Sequence, residues 1–162
     1  ILVDFNAVKG GIEIIPLDND WQRAAHVYSD EVLISHRTDA EKGTPKFERG
    51  KSLSDHQQEM IYISGTAAIR GEESIVTGDV LVQTEITLEN IQHLIGLEEG
   101  REKLPEHSGK LELLRVYLKH EEDAKIVKED MDKLCPDVPI VYLYADVCRE
   151  ELLVEIEGIA YL

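Results

Sequence analysis

The chain is 162 residues long, enough for one ordinary domain with a real core, and its 43% apolar and 31% charged residues exclude a disordered chain. Its net charge of −16 argues against a nucleic-acid partner, because a surface this acidic repels phosphate backbones unless a local basic patch offsets it. The cations are scattered among acids, as at Lys125, Lys128 and Lys133, and no basic stripe with interleaved aromatics is present.

Residues 1–45 read as short strands and loops, an N-terminal segment ahead of a main domain at 46–162. The sequence opens at Ile1 without a Met, so a processed or trimmed chain, or a piece of a longer protein, is expected. Gly10-Gly11 signals a turn before the strand-like Ile12-Glu13-Ile14-Ile15-Pro16. Asn19-Asp20-Trp21 has the composition to open a short helix, and Glu31 to His36 that of a strand. Gly43 to Gly50 is a loop by composition. Met60 to Gly65 is a nearly continuous apolar strand, as expected when both faces are buried. Ala67 to Ile75 forms a connection around Gly71.

Gly78 to about Gly100 carries the clearest helical period: Val80, Thr84, Thr87, Leu88, Ile91, Leu94 and Ile95 recur every three or four residues, with Gln83, Glu85, Glu89 and Gln92 on the other face. Gly100 stands where a helix stop would fall. Lys110 to Lys119 is a strand, Glu121 to Leu134 a second amphipathic helix ended before Pro136, Val138 to Tyr144 a strand, and Leu152 to Leu162 the last strand. From residue 60 the order is strand, helix, strand, helix, strand, strand, and two helices against one mixed sheet bury both helical stripes. No apolar run reaches membrane-spanning length, which argues against a membrane partner. Two cysteines, Cys135 and Cys148, make no disulfide framework, so a cytoplasmic location is expected. None of the six histidines, His26, His36, His56, His93, His107 and His120, has metal spacing, and they read as surface or incidental. No metal or cofactor is expected.

Ile63-Ser64-Gly65-Thr66-Ala67, Gly78-Asp79-Val80, Gln83-Thr84 and Leu88-Glu89-Asn90-Ile91 resemble the core of the YjgF/RidA superfamily, also known as endoribonuclease L-PSP-like proteins. Val154-Glu155-Ile156-Glu157-Gly158-Ile159-Ala160 resembles its closing strand. The resemblance implies an α+β, chorismate mutase-like fold, with a mixed sheet, two helices on one face, and a homotrimer with sites between subunits. Members that hydrolyse imines grip the substrate carboxylate with an Arg, and Ile140 stands opposite it here, which argues against imine deamination. An RNA-cleaving role proposed for the family fits poorly with the charge.

A narrower resemblance joins Thr44-Pro45-Lys46-Phe47-Glu48-Arg49, Ser64 to Ala67 and Ala145-Asp146-Val147-Cys148-Arg149 to the chorismatases, which hydrolyse chorismate to pyruvate and a ring acid. Those enzymes contain two halves of this fold and carry the site in the second, which is the half this chain would cover. The implied ligand is a small carboxylated metabolite. The alternatives are a RidA-type imine or enamine deaminase and a non-catalytic metabolite-binding domain.

Glu155 and Glu157 lie two apart on a strand, so both carboxylates share one face and one can hold a proton. By the resemblance Glu155 is the acid; a solvated face with two ordinary acids is the alternative. Arg149 and Arg49 are candidate clamps for a dianion, or else surface arginines paired with nearby acids. Ser64, Gly65 and Thr66 offer hydroxyl donors and close backbone approach after a strand, or form a plain turn. Phe47, Tyr142 and Tyr144 are candidate walls for a ring, or core residues. Cys148 is a candidate pocket wall, with no His near in sequence to activate it.

Overall fold

Alternation along the last strand sets the layering. In β8 (Val154–Tyr161), Val154, Ile156, Gly158 and Ala160 are buried, while Glu155, Glu157, Ile159 and Tyr161 point to the other face. The computed structural model describes Ala7, Val32 and residues 9–29, 43–55, 58–75, 78–96 and 110–162. Their remaining strands are β1 (Glu13–Leu17), β2 (Gly50–Ser54), β3 (Glu59–Thr66), β4 (Ile69–Arg70), β5 (Glu73–Ser74), β6 (Lys110–Leu118) and β7 (Ile140–Tyr144), and the α-helices are α1 (Val80–Leu94) and α2 (Ala124–Leu134).

Six strands form one sheet in the order β1-β2-β3-β8-β6-β7, and β4 and β5 form a separate hairpin. Every pair in the large sheet is antiparallel except β6 with β7, which α2 connects as a crossover. Both helices pack on one face. Val80, Leu88 and Ile91 of α1 and Val127 and Met131 of α2 meet Ile61, Ile63, Leu114, Val116, Leu118, Val154 and Ile156 in the main core. The fold is therefore the mixed sheet with two helices expected from the sequence. The expectation for β3 needs correction: Ile61 and Ile63 are buried on the helix side, but Met60, Tyr62 and Ser64 are only half-buried on the other. The strand β2 was not foreseen.

Helix α1 begins where Asp79 Oδ1 accepts from the amides of Leu81 (2.9 Å) and Val82 (3.4 Å), an ordinary N-cap. It stops earlier than the sequence pattern suggests, because Gly96 takes φ +75° and its amide bonds back to the His93 carbonyl. Gly100 lies outside the described residues, as do Glu31, residues 33–36, His56 and His107. Gln83, expected on the polar face, is fully buried, as is Asn90, and His93 is buried. Gln83 Nε2 donates to the Glu151 carbonyl (3.0 Å) and its Oε1 accepts from the Leu153 amide (2.8 Å). Asn90 Nδ2 donates to the carbonyls of Ala67 (3.0 Å) and Ile69 (3.1 Å). These side chains satisfy the backbone of irregular segments packed on the helix, so polarity alone misplaces them.

Asn19-Asp20-Trp21 is a turn and not a helix opening: the Trp21 amide donates to Asn19 Oδ1 at 3.0 Å and the Gln22 amide to the Asn19 carbonyl at 2.9 Å. The Trp21 carbonyl and Arg23 amide then pair with the backbone of Gly71, whose φ of +59° turns the β4–β5 hairpin. Trp21 stacks on His93 with ring centroids 4.0 Å apart, and His93 contacts Asp20, so this histidine is structural; His26 and His120 are exposed. Among the described residues no helix is long and apolar enough to cross a membrane.

Candidate active site

A β-bulge shapes the site. Between Ile63 and Thr66, β3 carries one residue more than its partner β8, and Ser64 and Gly65 leave the ladder. The Ser64 amide then donates to the Arg49 carbonyl (3.1 Å) and its hydroxyl to the Glu48 carbonyl (2.6 Å), which tethers the strand to the segment entering β2. A cavity of about 370 Å³ opens there. It brings together Phe47, Arg49, Ser64, Gly65, Cys148, Arg149 and Glu155, which lie far apart in sequence.

Glu155 projects from β8 directly over Gly65. A Cβ at Gly65 would stand 2.2 Å from Glu155 Oε1 and 2.9 Å from its Cδ, so any side chain there would push this carboxyl aside. Burial pushes the Glu155 carboxyl up, and the charge of Glu157 adds to that. Glu157, on the same face, has a different environment. Arg115 Nε pairs with its Oε1 at 2.8 Å, and the Tyr117 hydroxyl donates to the same oxygen. Burial and this bond to Glu157 push the Tyr117 phenol up to about 12, so it stays a donor. Of the two acids, Glu157 is engaged by a guanidinium and a phenol, and Glu155 is disposed to keep its proton.

Arg49 and Arg149 are both buried, and among the described residues neither has a carboxylate within 4.0 Å. Arg49 Nη2 donates to the Arg23 carbonyl at 2.7 Å and to the Tyr28 hydroxyl, and its Nε has no hydrogen-bond partner among the described residues. Arg149 Nη1 donates to the Glu72 carbonyl (2.8 Å) and the Ser74 hydroxyl (2.9 Å). Two buried cations held by neutral acceptors give the cavity a positive field in an acidic protein, which suits an anionic ligand. Phe47 covers Arg49 at 5.2 Å from its ring centroid. The Cys148 thiol is pushed up, first by withdrawal from water and then by Glu155, which keeps it a protonated wall and not a nucleophile.

No family model matches the chain. A chorismatase from Streptomyces rapamycinicus is 36% identical over 136 residues, covering 79% of this chain and 41% of that protein. A 3-hydroxybenzoate synthase from Streptomyces hygroscopicus is 36% identical over 128 residues, covering 71% of this chain and 36% of that protein. The chain thus spans less than half the length of these relatives. The crystal structure of a chorismatase superposes with a TM-score of 0.71 at 28% identity, over 91% of this chain and 43% of that one. The chain is similar in sequence to the chorismatases and shares its fold with them. The YjgF gene product of E. coli shares the fold, with a TM-score of 0.59 at 16% identity over 90% of this chain and 97% of that one.

Some residues that the sequence nominated for the site lie outside the cavity. Thr66 is buried beneath the bulge, its hydroxyl donating to the Ser64 carbonyl at 2.8 Å. Tyr142 faces the helices from β7 and packs on the main core, because β7 presents its even-numbered residues to that side. Tyr144 is exposed at the strand end, and Ile140 packs on the core. Conversely, Tyr28, Val32, Pro45, Ala67 and Ile69 line the cavity and were not foreseen. Tyr28 lies in a segment with no helical or strand period, and its nearest sequence signal is only that of a turn-rich stretch.

Proposed function

We propose that this chain carries the site of a chorismatase-type hydrolase that cleaves the enolpyruvyl ether of chorismate, with Glu155 as general acid. The observation that carries this reading is the Glu155 carboxyl, disposed toward its protonated form and seated on Gly65 in a cavity that also holds two buried arginines without carboxylate partners among the described residues. Arg49 and Arg149 would receive the two carboxylates of the substrate, and Phe47 and Ile69 would wall its ring.

In the reaction, the Glu155 O–H bond breaks and its proton goes to the methylene carbon of the enol ether. The C=C electron pair forms the new C–H bond, leaving an oxocarbenium carbon. Water adds to that carbon and gives up a proton, which restores the acid on Glu155. The hemiketal then collapses to pyruvate and the ring alcohol. The name of the 3-hydroxybenzoate synthase relative implies that in that protein the ring also loses one water to become aromatic, a step beyond the hydrolysis proposed for this chain.

The reading also includes a cytoplasmic homotrimer. Val141 and Leu143 on the open sheet face are exposed in the single chain, which supports the reading that a neighbouring subunit covers that face. Light scattering that returns a monomer would remove that part alone. The reaction is tested by a coupled assay for pyruvate after mixing the chain with chorismate, beside Glu155→Gln. Release that vanishes in the variant supports both the reaction and its acid. Tight ligand binding without release would turn the reading toward a binding domain.

A further inference from the structure

The two arginines of the cavity meet at one ring, and that ring comes from the segment ahead of β2. Tyr28 is buried, and its centroid lies 5.7 Å from Arg49 Cζ and 5.5 Å from Arg149 Cζ. Its hydroxyl also accepts from Arg49 Nη2. Glu72, in the β4–β5 turn, fastens this arrangement twice. Its carboxylate accepts from the Ser29 amide (2.8 Å) and hydroxyl (2.6 Å) and pairs with Arg23 (3.1 Å), which fixes the backbone on both sides of Tyr28. Its carbonyl accepts from Arg149 Nη1 at 2.8 Å. Bonds from Ser29 hold the Glu72 carboxyl below the usual range, so it remains an anion at neutral pH.

Two guanidinium groups this close to one ring repel each other, and the negative face of the ring offsets part of that repulsion. A side chain that touches both cations, on backbone anchored by the Glu72 carboxylate through Ser29, fixes the distance between them. We infer that Tyr28 is a positioning residue: it sets the spacing of Arg49 and Arg149, and so makes the cavity prefer ligands with two carboxylates over ligands with one. The inference rests on reading the cavity as an anion site, not on the reaction performed there. It also makes Tyr28, which precedes β2 in the chain, part of the binding site.

The test is isothermal titration calorimetry of the chain with isophthalate, a benzene dicarboxylate, and with benzoate. Wild type is expected to bind isophthalate at least about tenfold more tightly, the worth of one charge-assisted hydrogen-bonded contact. Tyr28→Leu is expected to bring that ratio close to one, with benzoate affinity little changed. Tyr28→Phe keeps the ring and removes the bond to Arg49, and is expected to retain part of the preference; it decides the matter if Tyr28→Leu melts early. A preference unchanged in the folded variants, an equal loss for both ligands, or no preference in wild type would overturn the inference. A wild-type chain that prefers isophthalate yet releases no pyruvate from chorismate would sink the proposed reaction and leave the role of Tyr28 standing.

Discussion

Gly65→Ala adds one carbon and tests whether the placement of Glu155 governs turnover. The new Cβ would stand 2.2 Å from Glu155 Oε1, 2.9 Å from Cδ and 3.4 Å from Cγ. An ordinary carbon–oxygen contact requires the carboxyl to retreat by about 1 Å, and a misplacement of that size at a reacting group costs about 100-fold in rate, or about 2.7 kcal/mol of barrier. The atoms that yield are the end of a flexible side chain, so the fold should tolerate the change. The expected result is a fall of about 100-fold in kcat with KM nearly unchanged, because neither arginine is touched.

The assay is pyruvate release from chorismate, coupled to NADH oxidation by lactate dehydrogenase, with a thermal melt beside it. A variant within about threefold of wild-type kcat would refute the argument, since a displacement of about 1 Å at the acid would then be harmless. A fall in KM-dependent terms alone would also refute it, by assigning Gly65 to binding.

Glu157→Gln removes the charge that helps to hold the Glu155 proton, so the alkaline limb of the kcat/KM profile should move to lower pH; a shift to higher pH would contradict the assignment of roles to the two acids. Glu155→Gln bears on stability. Because the folded-state pKa of Glu155 is raised, the native state holds its proton longer than the unfolded chain, and stability falls as pH rises from the ordinary carboxylate pKa through the folded one. The variant should therefore melt above wild type at pH 8 and close to it at pH 4, as read by differential scanning fluorimetry. Arg149→Lys gives up the forked donor that reaches Glu72 and Ser74, and KM for chorismate should rise about tenfold with a smaller change in kcat; an unchanged KM would remove Arg149 from the binding site.

What the sequence makes legible here is whatever depends on local period. The alternation Val154-Glu155-Ile156-Glu157 places both acids on one face without any knowledge of their neighbours, and Asp79 before an apolar helical stripe marks the start of α1. What it does not make legible depends on partners distant in the chain. Gln83 and Asn90 belong to the polar set by composition, yet they are buried because irregular backbone 21 to 70 residues away needs donors and acceptors. Tyr142 carries an aromatic ring at a promising place in the sequence, but its parity on β7 sends it to the core. Tyr28 has no periodic context, and only the Gly71 hairpin and Glu72 bring it to the arginines.

The same logic explains how two identical residues, two positions apart, come to differ. Register pairs Arg115 with Glu157 and Tyr117 with Glu155 across β6 and β8, and the bulge in β3 withdraws Gly65 from the ladder beneath the Glu155 carboxyl. Arg115 thus reaches one acid, while the other receives a glycine, a wall and the repulsion of its neighbour. A slip of β6 by one residue would send Arg115 and Tyr117 to the helix face and Val116 to the acids, leaving neither carboxylate with a cation. Irregularities on both neighbours of β8, between Leu111 and Leu113 in β6 and between Ile63 and Thr66 in β3, accompany this register. The difference between the two acids therefore belongs to the strand pairing, and substitutions that loosen either bulge should blur it before they unfold the sheet.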